Sequence, residues 1–198
     1  MSKDLSHREK LFSQISDAYG KVTYSERTHI EQYFYLEKLN RRIKYVQIVL
    51  SAIATTGFIG AVVSNEMIVV WVGGIFATLL LITNLFYKDF NIASDMNQHR
   101  KSSDALWLIR EQYISLLTDF DTLEKIEITQ KRNELQSKTS DIYEESPKTN
   151  SKAFKKAQAA LKVNKEQYFT NDELDNLLPV HLRFSSSNIA EKEKDVDN

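Results

Sequence analysis

The sequence of 198 residues contains no cysteine, only five glycines and only two prolines. Without cysteine the chain forms no disulfide, no thiolate metal site and no cysteine nucleophile. Sheet proteins use glycine and proline in their turns, yet the stretch 88–146 contains neither residue. The composition therefore predicts an all-helical protein.

An excess of charge of one sign is also missing. The 26 basic residues are balanced by 27 acidic ones, which gives a net charge of −1. Nucleic-acid-binding proteins usually carry a basic excess, so we expect no direct binding to nucleic acid. The four histidines show no metal-binding spacing, and no phosphate-binding glycine loop or nucleophile motif occurs. We therefore predict no catalytic, metal or cofactor site, and no enzymatic activity.

Charged residues are absent from two long runs, 45–65 and 67–87. Each run would form a helix of about 31 Å, close to the thickness of the hydrocarbon core of a bilayer. The alternative, a core helix of a soluble protein, seldom extends so far without a charge. More than forty polar residues precede the first run, which does not fit a cleaved signal peptide. The runs predict two transmembrane spans joined by a tight turn at residues 64–66.

Basic residues flank the two spans on one side of the membrane only. Arg41, Arg42 and Lys44 precede the first span and Lys88 follows the second, whereas the turn has no basic residue. Cytoplasmic flanks are enriched in lysine and arginine. We therefore expect a multi-pass protein with both termini in the cytoplasm.

Small and polar residues recur on one face of each span. This face allows close helix packing, either within one hairpin or between subunits around a polar path. Asn84 is the strongest indication of a protein contact, because an amide in a span usually needs a polar partner. The predicted packing or pore face comprises Ser51, Ala52, Thr55, Thr56, Gly60, Ser64, Gly73, Ala77 and Asn84; Thr78 and Thr83 are further candidates for the path.

The segments outside the spans are predicted to be cytoplasmic helices. We divide the chain into N-terminal helices (1–44), the hairpin (45–87), a long helical region (88–146), C-terminal helices (147–184) and a disordered tail (185–198). Ser102, Ser103 and Asp104 predict a cap or a break. The sequence thus indicates an all-α membrane protein, a two-helix transmembrane hairpin with long cytoplasmic helical extensions at both ends.

The long helical region carries an apolar heptad pattern that is typical of a coiled coil. Its partner is either the N-terminal helix of the same chain or the same helix of a neighbouring copy. We call this set the cytoplasmic seam: Leu106, Ile109, Tyr113, Leu116, Phe120 and Leu123.

Several stretches resemble those of a known family. LWLIREQYISLLTDF is similar to the post-membrane helix of the SLATT domain, the SMODS- and SLOG-associating two-transmembrane effector domain. KRNELQ, DIYEESPKTNSKAFKKAQAALK and DELDNLLP resemble its fifth subfamily. The resemblance covers residues 5–183 and implies an effector of bacterial anti-phage defence in the inner membrane. A separate protein, such as a nucleotide synthase, a nucleotide sensor or a reverse transcriptase, would supply the trigger.

Two functions remain open at this point. In the first, the chain forms homo-oligomers in the lipid bilayer and permeabilises it, so that the infected cell stops growing or dies before the phage matures (abortive infection). In the second, the hairpin only anchors a helical scaffold that docks a cytoplasmic partner.

Overall fold

The computed structural model describes residues 6–64, 67–166 and 169–183, which contain helices and no strand. Two helices are long and apolar enough to cross a membrane. The all-α class with two apolar helices is therefore confirmed. Two of the three turn residues and the predicted tail lie outside the described residues. The helices are α1 (His7–Ser64), α2 (Met67–Asp89), α3 (Ile92–Thr118), α4 (Lys125–Glu145), α5 (Ser151–Lys162) and α6 (Asn171–Leu177), followed by a 3₁₀ turn at Val180–Leu182.

Helix α1 continues without interruption from the polar N-terminal segment through the first apolar run. Its 58 residues correspond to a length of about 87 Å. It contains no proline, and Gly20 is the only glycine before the apolar run. Ion pairs one turn apart, such as Arg27 with Glu31 at 2.8 Å, support its polar N-terminal half.

Helices α2 and α3 follow one another along α1. Helix α2 packs against the apolar half of α1, and α3 packs against the polar N-terminal half. The chain passes between them at Asn91, whose φ of 36° lies in the left-handed region that asparagine tolerates. Phe86 and Phe90 stack beside this junction, with ring centroids 4.2 Å apart.

The predicted cap or break at residues 102–104 is wrong, because α3 passes through it. Ser102 and Ser103 are buried rather than exposed at a helix end. The Ser102 hydroxyl donates to Gln98 O of its own helix, and the Ser103 hydroxyl donates to Glu26 O across the interface with α1. Small hydroxyl residues serve here to pack two helices together.

Contacts divide the chain into two compact units, and the division follows Ala157. In the first unit, a capping box formed by Glu124 and Glu127 opens α4. This helix packs on the beginning of α1 and the end of α3. In the second unit, Thr170 and Glu173 form the capping box that opens α6, and Arg183 Nε donates to Leu178 O.

Candidate functional site

The two apolar helices make their closest contact through a pair of glycines. A Cβ atom built at Gly57 would lie 2.8 Å from the Cα atom of Gly73, and one at Gly60 would lie 3.1 Å from Val69 Cγ1. Gly73 is buried. Because neither glycine has a side chain, the backbones of α1 and α2 approach directly. Gly60 and Gly73 belong to the predicted face, but Gly57, the residue in closest contact, does not.

A groove lined by both polar and apolar residues runs beside this contact, toward the end of the hairpin that carries Lys44. It includes four residues of the predicted face on α1 and Asn84 on α2. Ala77 is exposed elsewhere on α2, and the Ser64 side chain lies outside the described residues. The groove is lined by Lys44, Gln47, Ile48, Ser51, Ala52, Thr55, Thr56, Leu80 and Asn84.

The amide of Asn84 has a partner within its own chain. Gln47 Nε2 donates to Asn84 Oδ1 at 2.9 Å. One turn further along α2, the Tyr87 hydroxyl donates to Asn40 Oδ1, also at 2.9 Å. Gln47 was not among the predicted residues, although it is the only amide within the first span apart from the terminal Asn65. An isolated amide inside an apolar span was the signal that could have identified Gln47.

The threonine hydroxyls of the spans donate to carbonyl oxygens of their own helices. Thr55 donates to Ser51 O at 2.8 Å and Thr56 to Ala52 O at 2.9 Å. Thr78 and Thr83 behave in the same way on α2. The hydroxyl hydrogens of these threonines are therefore bonded without a second subunit. Thr55 and Thr56, which line the groove, present only oxygen lone pairs to it.

The cytoplasmic seam packs inside the bundle of this same chain. Five of its residues are buried and Leu123 is partly buried. They contact α1 and α4, so the N-terminal helix of the same chain covers the seam. The residues buried with it are Leu11, Ile15 and Val22 of α1 and Ile128 and Leu135 of α4.

The interface between α1 and α3 has a polar section between the apolar core and the hairpin, and buried Leu36 and Ile92 lie nearer the hairpin. Glu26 and Arg110, whose side chains are only 10% and 12% exposed, form an ion pair of 2.7 Å. Nearer the hairpin, the buried rings of His29 and His99 meet with their Nδ1 atoms 3.0 Å apart. A hydrogen bond of this kind requires one Nδ1–H to donate to the other Nδ1.

Sequence reasoning did not bring these two histidines together. They lie on different helices, 70 positions apart, and no local pattern relates them. Among the described residues, no group of three or more His, Asp or Glu side chains is placed to hold a metal ion. The pair is a polar contact between the two helices.

Burial makes the histidine pair sensitive to acid. Burial, and secondarily His99, lowers the pKa of His29 from 6.5 to about 4. Burial also lowers the pKa of His99, against the opposing effect of Asp95. Between pH 6.5 and pH 4, His29 binds a proton in the unfolded chain but not in the folded chain. The free energy of unfolding therefore falls as the pH falls from 6.5 toward 4.

We expect acidification from pH 7 to pH 5 to destabilise the bundle by up to about 2 kcal/mol through His29. The measurement is the urea midpoint of the full chain in detergent, followed by Trp107 fluorescence in a W71F background. H29Q should flatten the pH dependence, whereas H7Q, on the exposed first turn of α1, should retain it. If the urea midpoints of H29Q and H7Q changed equally with pH, His29 would not be the source of the pH dependence.

The model of one protein family, the SMODS and SLOG-associating 2TM effector domain family 4, matches residues 11–173. The match confirms the SLATT resemblance and corrects the subfamily, which is the fourth and not the fifth. The segment KRNELQ misled because five of its six side chains are wholly or partly exposed on α4, where packing constrains sequence weakly. No curated protein and no solved structure matches the chain.

The description of the family fits the architecture of the chain. It specifies two transmembrane helices, and α1 and α2 each contain an apolar segment long enough to cross a membrane. It also specifies an effector role in association with SMODS and SLOG proteins, not a known catalytic activity. The chain is therefore a membrane protein that belongs to the SMODS and SLOG-associating 2TM effector domain family 4.

Proposed function

We propose that this chain is an inner-membrane effector of a bacterial anti-phage system that assembles with further copies and opens a polar path across the membrane. The observation that carries the proposal is the groove between Lys44 and Asn84. Large apolar side chains are exposed elsewhere on the hairpin, such as Phe58 and Val63, which are 72% and 80% exposed. Polar groups within a bilayer usually face protein or water. Apposed grooves from several copies would meet this requirement.

The groove continues the face of α1 that packs on α3 in the cytoplasm. Glu26 and Lys44 are separated by about five helical turns, and so are His29 and Gln47. Because α1 is one uninterrupted helix, these residues lie along a single stripe. Movement of α3 against the stripe in the cytoplasm would therefore act on the helix face that lines the groove.

The polar part of the α1–α3 interface is a suitable place for a trigger to act. Buried ion pairs and polar contacts stabilise an interface less than apolar packing of the same size. The Glu26–Arg110 and His29–His99 contacts lie between the apolar core of the bundle and the hairpin. A separate signal-producing or nucleotide-sensing partner that shifts the bundle would rearrange this part first. The basic flanks of the spans support placing both termini on the cytoplasmic side, where such partners act.

A membrane scaffold is the second candidate function. It is favoured by the threonine hydroxyls, which satisfy themselves within their own helices, and by the Gly57–Gly73 contact, which closes the hairpin without another copy. In this case the spans only anchor the bundle. Replacing both spans with unrelated apolar helices would preserve a scaffold's function and abolish that of a pore.

We expect Asn84→Leu to abolish most of the depolarisation that the induced protein causes in triggered bacteria. The change removes the polar lining and leaves Gln47 without its partner, which destabilises the hairpin by about 0.6 to 1.7 kcal/mol. Membrane potential and dye entry are followed over time, with the amount of protein in the membrane fraction measured for each variant. Thr83→Val, which removes a hydroxyl that bonds only within α2, is the matched control and should retain activity.

The double variant Q47L/N84L separates loss of the path from loss of packing. It removes both amides, so neither amide is left without its partner. If the chain forms a pore, the double variant should stay inactive because the polar lining is gone. If the chain is a scaffold, the double variant should regain the activity that Asn84→Leu lost. Depolarisation by the double variant at the wild-type rate would refute the polar path.

A further inference from the structure

The charge of the groove is concentrated at its cytoplasmic end. Lys44 is the only charged residue among those that line it; the others are amides, hydroxyl residues and apolar residues. Lys44 is exposed, and α1 carries it one turn before Gln47. Any solute that passes between the cytoplasm and the groove would therefore meet this ammonium group first.

The acidic residues near this end of the hairpin do not offset Lys44. Glu37 lies two turns farther into the cytoplasm and contacts Arg41, with Nη2 and Oε1 3.5 Å apart. Asp89 ends α2 and does not line the groove. The threonine hydroxyls contribute only oxygen dipoles, because their hydrogens are bonded to their own helices. A full positive charge acts more strongly than these dipoles at comparable distance.

We infer that the path lined by this groove conducts small anions in preference to cations, and that Lys44 determines the preference. This inference rests on the proposed pore. Each copy in an assembly contributes one Lys44, so the cytoplasmic mouth carries a ring of ammonium groups. Rings of lysine or arginine concentrate anions at a pore mouth and repel cations. The chemical class of the conducted species is thus a small inorganic anion such as chloride.

The alternative explanation is that Lys44 is an ordinary basic flank that only sets the orientation of the hairpin. Arg42 allows this alternative to be tested. It is a basic residue two positions away on the same helix and is exposed, but it does not line the groove. A change of charge at Arg42 alters the flank by the same amount as a change at Lys44 and leaves the groove untouched.

The test is the current carried by the purified full chain in planar bilayers under a potassium chloride gradient, with the activating partner added if the chain alone is silent. We expect the wild type to pass chloride over potassium by about threefold or more. K44Q should bring the permeability ratio close to one, and K44E should invert it. R42E should keep the wild-type ratio. E66Q, in the predicted turn between the two spans, should also keep it.

The other outcomes decide either against the anion preference alone or against the pore and the anion preference together. A conductance that prefers potassium, or whose preference follows Arg42 or Glu66 rather than Lys44, overturns the anion preference and leaves the pore intact. Absence of any conductance with the activating partner present overturns the pore and the inference with it. Insertion of the variants is verified by protease protection of the reconstituted chains, so an inverted or uninserted variant is recognised as such.

Discussion

Introducing a single methyl group at Gly57 should force the two membrane helices apart. The Cβ atom of Gly57→Ala would lie 2.8 Å from Gly73 Cα and 3.2 Å from Gly73 N. Both contacts are with backbone atoms, which cannot rotate out of the way as a side chain can. Overpacking of this kind typically costs about 1–3 kcal/mol, and relief here requires α1 and α2 to separate along the hairpin.

The neighbouring glycine on α2 provides a matched control. A Cβ atom at Gly74 would meet nothing within 4 Å, so G74A should leave the hairpin unchanged. A Cβ atom at Gly73 would lie 3.2 Å from Gly57 C, so G73A should have a smaller effect than G57A. The separation can be measured with cysteines at positions 40 and 87, whose native side chains share a hydrogen bond. Because the chain has no other cysteine, only this pair reacts with a short bifunctional reagent.

The expected result is efficient cross-linking in the wild-type background and with G74A, and a severalfold loss with G57A. Similar cross-linking for G57A and G74A would show that the glycine pair does not set the distance between the helices. The groove would be affected as well, because the register that places Gln47 opposite Asn84 depends on this close contact.

Removing one member of the Glu26–Arg110 pair should destabilise the helical bundle outside the spans more than any other single change proposed for it. R110A removes the guanidinium that lies 2.7 Å from the buried carboxylate of Glu26. Removing one partner of a buried ion pair usually costs about 3–5 kcal/mol. Urea unfolding followed by Trp107 fluorescence would report the loss as a lower midpoint.

Replacing both members should restore much of the stability, because apolar residues of similar volume often match or exceed a buried ion pair. E26M/R110M is therefore expected to unfold at a higher urea concentration than R110A. K138A, which breaks the solvent-exposed pair of Lys138 and Glu134 on α4, should not shift the midpoint. A double variant no more stable than R110A would show that the pair is not the source of the loss.

The sequence was sufficient to predict the elements whose signal is local. The two apolar runs are recognisable from length and the absence of charge alone, and the seam follows from the spacing of its apolar residues. Neither signal identifies a partner. Coverage of the seam by α1 depends on the chain returning through the hairpin, and the heptad pattern is compatible with a neighbouring copy as well.

The contacts that the sequence did not reveal are those between distant positions. Gln47 meets Asn84, and His29 meets His99, only because Gly57 and Gly73 fix the register of the hairpin and α3 continues along α1. The position of each residue within its own helix carries no information about this register. The subfamily was misjudged for a related reason, since exposed helix surfaces carry little structural information.

Because α1 is uninterrupted, a displacement at one end of this helix also acts on its other end. Its part before the first span, residues 7–44, extends for about 57 Å. At the far end Arg8 donates to the carbonyl oxygens of Phe120 and Leu123, so this end of α1 is fastened to the loop after α3. A partner that displaces this end sideways by about 5 Å would tilt a rigid rod of this length by about 5°. A binding event far from the bilayer would thereby act on the hairpin with a mechanical advantage proportional to the length of the rod.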